Sequence, residues 1–378
     1  MKPFILLLLT FTVSNAFGTV HTVSNNPANV AQFNTIQEAI NRAANGDTIY
    51  VHGSPVTYTG FTIISKRLVI IGPGWAPDKN LPARATVVGF TLGNTTDSVN
   101  SANGTMIIGL VFVSTGGLFC NIGTNVARPL PVNNIVIQRC EFFRTRLQIT
   151  ALFVFGTNYL FEGNYFNESV INKGTGFLSN LTIRNNVFRR GALIPGGVSV
   201  CINEFSAESN VVVDHNLFYG ANNDMLCFNN CSQFVISNNL FVRGGSVLSA
   251  GSTFNTFNNN LTFRTSTNTP WVGNNNVDGG GNLSNLSPDL FDQAAVESGT
   301  DNPLLNFEIR PPTESPNPAF NGGNDGKNIG LLFDATGSNN WTNSRNARIP
   351  RVYSMSILNG TVPPGGTLNV TVEARKSN

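Results

Sequence analysis

Six stretches of the chain repeat one phrase: Ile135-Val-Ile-Gln-Arg-Cys-Glu-Phe142, Tyr159-Leu-Phe-Glu-Gly-Asn-Tyr-Phe166, Leu181-Thr-Ile-Arg-Asn-Asn-Val-Phe188, Val211-Val-Val-Asp-His-Asn-Leu-Phe218, Phe234-Val-Ile-Ser-Asn-Asn-Leu-Phe241 and the looser Phe254-Asn-Thr-Phe-Asn-Asn-Asn-Leu261. Met106-Ile-Ile-Gly-Leu-Val-Phe112 is an earlier version without Asn. The aligned phenylalanines stand at 112, 142, 166, 188, 218 and 241, so the period runs from 22 to 30 residues. Self-similarity at such a period marks a solenoid rather than a single globular core. Each repeat offers a strand, an Asn turn and a second short strand. Asn tolerates the left-handed backbone that a sharp bend requires, and stacked coils bring equivalent amides within bonding reach of one another. An antiparallel sandwich also carries turn signals, about every 8–12 residues, but leaves the once-per-coil recurrence unexplained. The pattern predicts an all-β chain folded as a right-handed parallel β-helix.

Composition agrees with stacked strands. Charged residues are 12% of 378, against roughly 25% in ordinary globular domains, and 37 glycines punctuate the chain. A net charge of +2 points to neither a nucleic acid nor a strongly anionic partner. At the N-terminus Lys2, the apolar run Phe4–Phe11 and Ser14-Asn15-Ala16 compose a secretory signal peptide over residues 1–16. The run is too short to span a bilayer. The expectation is a secreted chain, extracellular or periplasmic, with no stable membrane insertion. Five cysteines cannot all pair, and no CxxC or His-spaced metal pattern appears. Export permits disulfides, and Cys227 with Cys231 could bridge locally. As a residue type, buried Cys also serves as a small apolar core group.

One helix is written clearly. Thr35-Ile36-Gln37-Glu38 is a capping box, Ile36, Ala39, Ile40 and Ala43 form one apolar stripe, and Gly46 stands where a C-terminal cap belongs. Residues 17–46 therefore read as a first strand and a capping helix, a lid over the open solenoid end. The solenoid is expected over 47–287. A Pro- and Gly-rich return segment follows over 288–349, then a β-hairpin over 350–378.

Thr35-Ile-Gln-Glu-Ala-Ile-Asn-Arg-Ala-Ala-Asn-Gly-Asp-Thr-Ile-Tyr-Val51 resembles the opening of the pectin-lyase-like β-helix superfamily. Phe307-Glu-Ile-Arg-Pro-Pro312, Ser315-Pro-Asn-Pro318 and Asn328-Ile-Gly330 resemble the closing segment of many bacterial members. With the repeats, the resemblance covers most of residues 33–334. It implies the fold, but that fold hosts lyases, hydrolases, esterases and inert adhesins. Val213-Asp214-His215-Asn216 followed by Asp224-Met225-Leu226 is similar to a pectate lyase phrase, in which an Asp-His pair precedes a strand whose acids bind calcium. The resemblance implies Asp224 as a first Ca2+ ligand. The second ligand falls on Phe228, which cannot ligate. The family's upstream Asp-X-Asp has no counterpart, Glu204 and Glu208 being the nearest acids. Its catalytic arginine falls on Arg264, without the surrounding motif.

The candidate catalytic residues are thus Glu204, Asp224 and Arg264. Paired carboxylates would serve glycoside hydrolysis. Arg264, or Lys173, would serve as the base of a uronate lyase, with positive charge holding the enolate-like anion. Arginines also cluster just after the coil-ending phenylalanines: Arg144, Arg146, Arg189, Arg190, Arg243 and Arg264. In register they would form a basic stripe interrupted at Asn167-Glu168 and Tyr219. Arg suits bidentate binding of carboxylates or sulfates, so Arg189, Arg190 and Arg243, with Lys173, are the candidate substrate-binding residues; turn solubility alone also accounts for them. Asp214-His215 reads as a turn pair at ladder positions ahead of an acid–base pair. Trp75, Tyr219, Trp271 and Trp341 are candidate platforms for sugar stacking. The expectation is a monomer that binds polysaccharide along its solenoid face and cleaves uronate-containing chains. The rival reading is a non-catalytic structural or adhesive protein.

Overall fold

The computed structural model describes residues 18–333, except 76–82, 97–99, 114–119, 124–129, 150–154, 175, 192–198, 206–208, 222–224 and 314–315, together with Trp341, 351–357 and 370–375. The expected signal peptide lies outside the described residues.

Three parallel sheets wrap a common interior. The first has eleven strands, from Val20–Val23 to Val277–Asp278. The second and third have eight each, running from Thr86–Val87 to Leu261–Phe263 and from Phe61–Ile64 to Ser246–Leu248. One coil contributes a strand to each sheet, as in Phe177–Arg184, Val187–Arg190 and Ser199–Asn203. Strands one coil apart pair in parallel, with Leu181 opposite Val211 and Val211 opposite Phe234. The chain is a right-handed parallel β-helix. Val20–Val23 already pairs with Thr48–Val51, so the first sheet begins ahead of the capping helix.

The repeated phrase is the corner between the first and second sheets, and each place in it has a distinct role. The first Asn place, held by Arg139, Gly163, Asn185, His215, Asn238 and Asn259, has φ between 51° and 65°. That is the left-handed bend Asn was expected to supply. The second place holds Asn164, Asn186, Asn216, Asn239 and Asn260, all fully buried. Each side-chain Nδ2 donates to the Oδ1 of the next rung at 2.9–3.1 Å, ending on Asn282, and each backbone N–H donates to that same oxygen. The remaining amide hydrogen goes to a carbonyl of the preceding coil, as in Asn216 Nδ2 to Ile183 O at 2.9 Å. Full satisfaction is what allows amides to lie in an otherwise apolar wall. The Phe place points inward: Phe112, Phe142, Phe166, Phe188, Phe218 and Phe241 stack with centroids 4.6–5.2 Å apart. That spacing follows the interstrand distance of about 4.8 Å, and each buried ring contributes about 1.5–3 kcal/mol.

The X place points outward and is nevertheless buried. Tyr165, Val187, Leu217, Leu240 and Leu261 pack beneath the return segment, against Leu290, Val296, Leu305, Phe307, Ile309 and Leu331. The protein therefore has an inner core and a second one outside the second sheet. Side chains and backbone of the left-handed corner hold the return segment in place. His215 Nδ1 lies 2.9 Å from Gly330 O, Leu332 N donates to Asn185 Oδ1 at 2.8 Å, Gly330 N donates to Asn238 O at 2.7 Å, and Asn259 Nδ2 donates to Gly322 O at 2.9 Å.

The helix Ile36–Arg42 carries the expected capping box and buries Ile36, Ala39 and Ile40. Its C-cap is Ala43 in extended conformation, not Gly46, which at φ 97° instead turns the chain toward the next strand. Arg351–Ile357 and Val370–Arg375 pair antiparallel as the C-terminal hairpin. Among the described residues no helix is long and apolar enough to cross a membrane.

Candidate functional site

The register sets the arginine stripe at the corner between the second and third sheets. Arg144, Glu168, Arg190, Gly220, Arg243 and Arg264 hold equivalent places, with Arg189 one place earlier beside Asn167 and Tyr219. Much of the stripe is engaged within the fold. Arg189 is 8% exposed; its Nε and Nη2 donate to Gly299 O at 3.1 and 3.0 Å, and its Nη1 to Asn167 Oδ1 and Glu168 Oε1, both at 3.0 Å. Arg190 is 6% exposed and donates to Ser169 O at 2.7 Å. Arg243 donates to Glu297 O at 2.8 Å, and Arg264 pairs with the Glu297 carboxylate. Helix Gln293–Glu297 ends there, so guanidiniums gather where a helix C-terminus presents its free carbonyls. The stripe thus binds this protein's own return segment. Arg144 and Arg264 keep their side chains mostly open, at 61% and 59%.

Of the expected catalytic residues, Glu204 and Arg264 stand at different corners of the solenoid. Glu204 is exposed at a left-handed corner (φ 63°) after a third-sheet strand, whereas Arg264 follows a second-sheet strand. Asp224 and Glu208 lie outside the described residues. Lys173 is buried, its Nζ 5.9 Å from the centre of the Phe177 ring. Phe228, where the second calcium ligand would fall, is fully buried in the inner core and offers no donor. No three His, Cys, Asp or Glu side chains among the described residues come together as a metal site. The described residues therefore do not fit the calcium set. His215 is 1% exposed, with Nε2 3.2 Å from Asp325 Oδ2, and works as a corner tie. Asp214 accepts from Asn238 Nδ2 at 2.9 Å.

The four aromatics expected as exposed sugar platforms are all buried, at 5% or less. Trp75 packs on Tyr165 and Trp341, Tyr219 on Phe307, and Trp271 on Phe257. Both cores need large apolar faces, and these residues supply them.

The structure directs attention to Glu141, which the sequence reading did not single out. Glu141 occupies the X place, where the coils in register with it carry Val111, Tyr165, Val187, Leu217, Leu240 and Leu261. A carboxylate at an otherwise apolar position was the signal available in sequence; such local breaks of a pattern tend to mark function. Over this coil the described part of the return segment leaves an opening, bordered by Asp301 and Pro303. A cleft of about 700 Å3 opens over the second sheet, with Glu141, Val111 and Phe143 among its lining residues and Arg84, Ser54 and Asp301 around them. That volume is within the range of small-molecule sites.

Glu141 is 4% exposed, and its Oε2 lies 2.6 Å from Arg84 Nη1. Burial pushes its carboxyl up to about 7, against the pull of Arg84 and the Asn167 amide, while the nearby Asp301 charge adds to the rise. Asn167 Nδ2 donates to Asp301 Oδ1 at 2.8 Å, and Arg189 Nη1 stands 3.4 Å from Asp301 Oδ2. Asp301 is 41% exposed. One buried and one open carboxyl, both beside Asn167, form the kind of unequal pair that divides acid and base roles. Arg84, 36% exposed, can meet an anionic group entering the cleft. No protein-family model matches this chain, and no curated protein matches it.

Proposed function

We propose that the chain is a secreted, carbohydrate-active β-helix protein of the pectin-lyase-like kind, which binds an acidic polysaccharide in the cleft over its second sheet and hydrolyses it. The observation that carries this reading is the buried Glu141 carboxyl, titrating near neutrality beside Asp301 and Arg84. A protonated Glu141 donates to the leaving glycosidic oxygen, and Asp301 serves as the opposing carboxylate, as nucleophile or as base for a water. Arg84 binds a sugar carboxylate.

The test is reducing-end release from a panel of acidic and neutral polysaccharides, comparing wild type with Glu141→Gln and Asp301→Asn. Activity on acidic chains, lost in both variants with fold retained, is the expected result. If no polysaccharide is cleaved and none is retained on an affinity gel, the proposal fails. Binding without cleavage, unchanged in both variants, would instead favour the non-catalytic structural or adhesive reading. That alternative draws support from the stripe arginines, which serve the fold rather than an open surface.

A further inference from the structure

Inside the wall of the third sheet, strands Ser199–Asn203 and Met225–Asn229 run parallel in adjacent coils. The flanking pairs Val200 with Leu226 and Ile202 with Phe228 put Cys201 directly opposite Cys227. Opposed residues in a parallel pair sit about 4.8 Å apart, inside the roughly 4.4–6.8 Å Cα range that a disulfide spans. Both side chains belong to the inner core, at 0% and 1% exposure.

A buried cation adjoins this pair. Arg190 is 6% exposed, and its Nε has no hydrogen-bond partner. Among the described residues no carboxylate pairs with it, and its charge acts on the Cys201 thiol. A buried guanidinium calls for an anionic neighbour, and a cysteine sulfur can become one.

We propose that Cys201 and Cys227 are a redox pair that closes to a disulfide between consecutive coils, with Arg190 as the positioning cation beside Cys201. Burial on its own raises the Cys201 thiol, but the neighbouring Cys227 and the Arg190 charge outweigh it and hold Cys201 below the usual thiol range. The other cysteines behave differently. Cys140 and Cys231 donate their S–H to the carbonyls of Gln138 and Asn229, each at 3.3 Å, and burial pushes both up to about 12. In the reaction, the Cys201 thiolate attacks one sulfur of a low-molecular-weight disulfide, forming a mixed disulfide and releasing one thiolate. Cys227, losing its proton, then attacks the Cys201 sulfur and releases the second thiolate. The protein gives up two electrons and two protons, which convert the small disulfide to two thiols.

The experiment refolds the full chain with oxidised glutathione and counts thiols under denaturing conditions. The five cysteines of the reduced chain should fall to three titratable thiols. Non-reducing digestion with mass spectrometry should join the Cys201 peptide to the Cys227 peptide. Cys201→Ser and Cys227→Ser should each abolish the loss, whereas Cys140→Ser should still lose two thiols. At neutral pH Arg190→Lys should retain faster closure than Arg190→Gln. Five thiols after oxidation of wild type, or a bond linking any other pair, overturns the proposal.

Discussion

Glu141→Gln separates a functional carboxyl from a merely structural one. Glutamine keeps the shape of the protonated acid and removes its charge. Because the folded carboxyl titrates near 7 and a free one near 4.5, the folded state binds the proton more tightly. Below about pH 4.5 both states are protonated and Glu141 adds no electrostatic cost. Between 4.5 and 7 the unfolded state ionises first, and above about 7 the folded protein carries the full burden. A displacement from 4.5 to about 7, at 1.36 kcal/mol per pH unit, corresponds to about 3 kcal/mol as an upper bound. The variant should therefore match wild type near pH 4.5 and be more stable by up to about 3 kcal/mol at pH 8. Urea midpoints followed by tryptophan fluorescence at the two pH values measure this. At the same time hydrolysis should be lost, a trade expected where activity keeps a destabilised group in place. Equal destabilisation of the variant at both pH values would refute the reasoning, because the Arg84–Glu141 pair would then be a net structural asset at any charge state.

Other consequences are equally direct. Asn216→Ala strands the buried Asn186 donors and the Ile183 carbonyl, so at about 1–3 kcal/mol per orphaned group it should cost about 3–5 kcal/mol in urea unfolding. Arg189→Ala with Arg243→Ala frees the Gly299 and Glu297 carbonyls, so protease cleavage within 288–313 should accelerate at least tenfold. The same double variant should weaken binding to anionic and neutral glycans alike, in a retention assay, because it displaces Asp301 along with the segment.

The fold was legible because its signals are local and repeat: the left-handed corner, the amide rung and the inward ring recur in each phrase and can be aligned by eye. The outer core was legible only in part. From Val111 to Leu261 the X place is apolar in every coil but that of Glu141, which asks for a cover, yet nothing in the spacing says that residues 290–331 provide it. Glu141 was overlooked for a related reason, since its singularity appears only once the X place is known to be buried. The arginine stripe illustrates the limit of register reasoning. Its alignment held for Arg144, Arg190, Arg243 and Arg264, whereas Arg189 stands one place earlier and Arg146 lies in a third-sheet strand opposite Val170; whether a guanidinium faces solvent or a helix end depends on a segment more than 30 residues away. Cys201 and Cys227 likewise meet only through the pairing of coils, whereas sequence proximity drew attention to Cys227 with Cys231.

The return segment also bears on how such a molecule can change length. A bare stack of coils is modular, and whole turns can be added or removed wherever neighbours match. Here four consecutive turns are fastened at Asn185, His215, Asn238 and Asn259 to one continuous stretch, Gly322–Leu332. An extra turn spliced among them would shift every later fastening by one rise, leaving buried carbonyls and amides without partners. Growth or loss of turns is therefore disfavoured from the coil of Tyr165 and Asn167, itself tied to Asp301, through that of Asn259, and the fastened part is expected to be inherited, and to unfold, as a single piece.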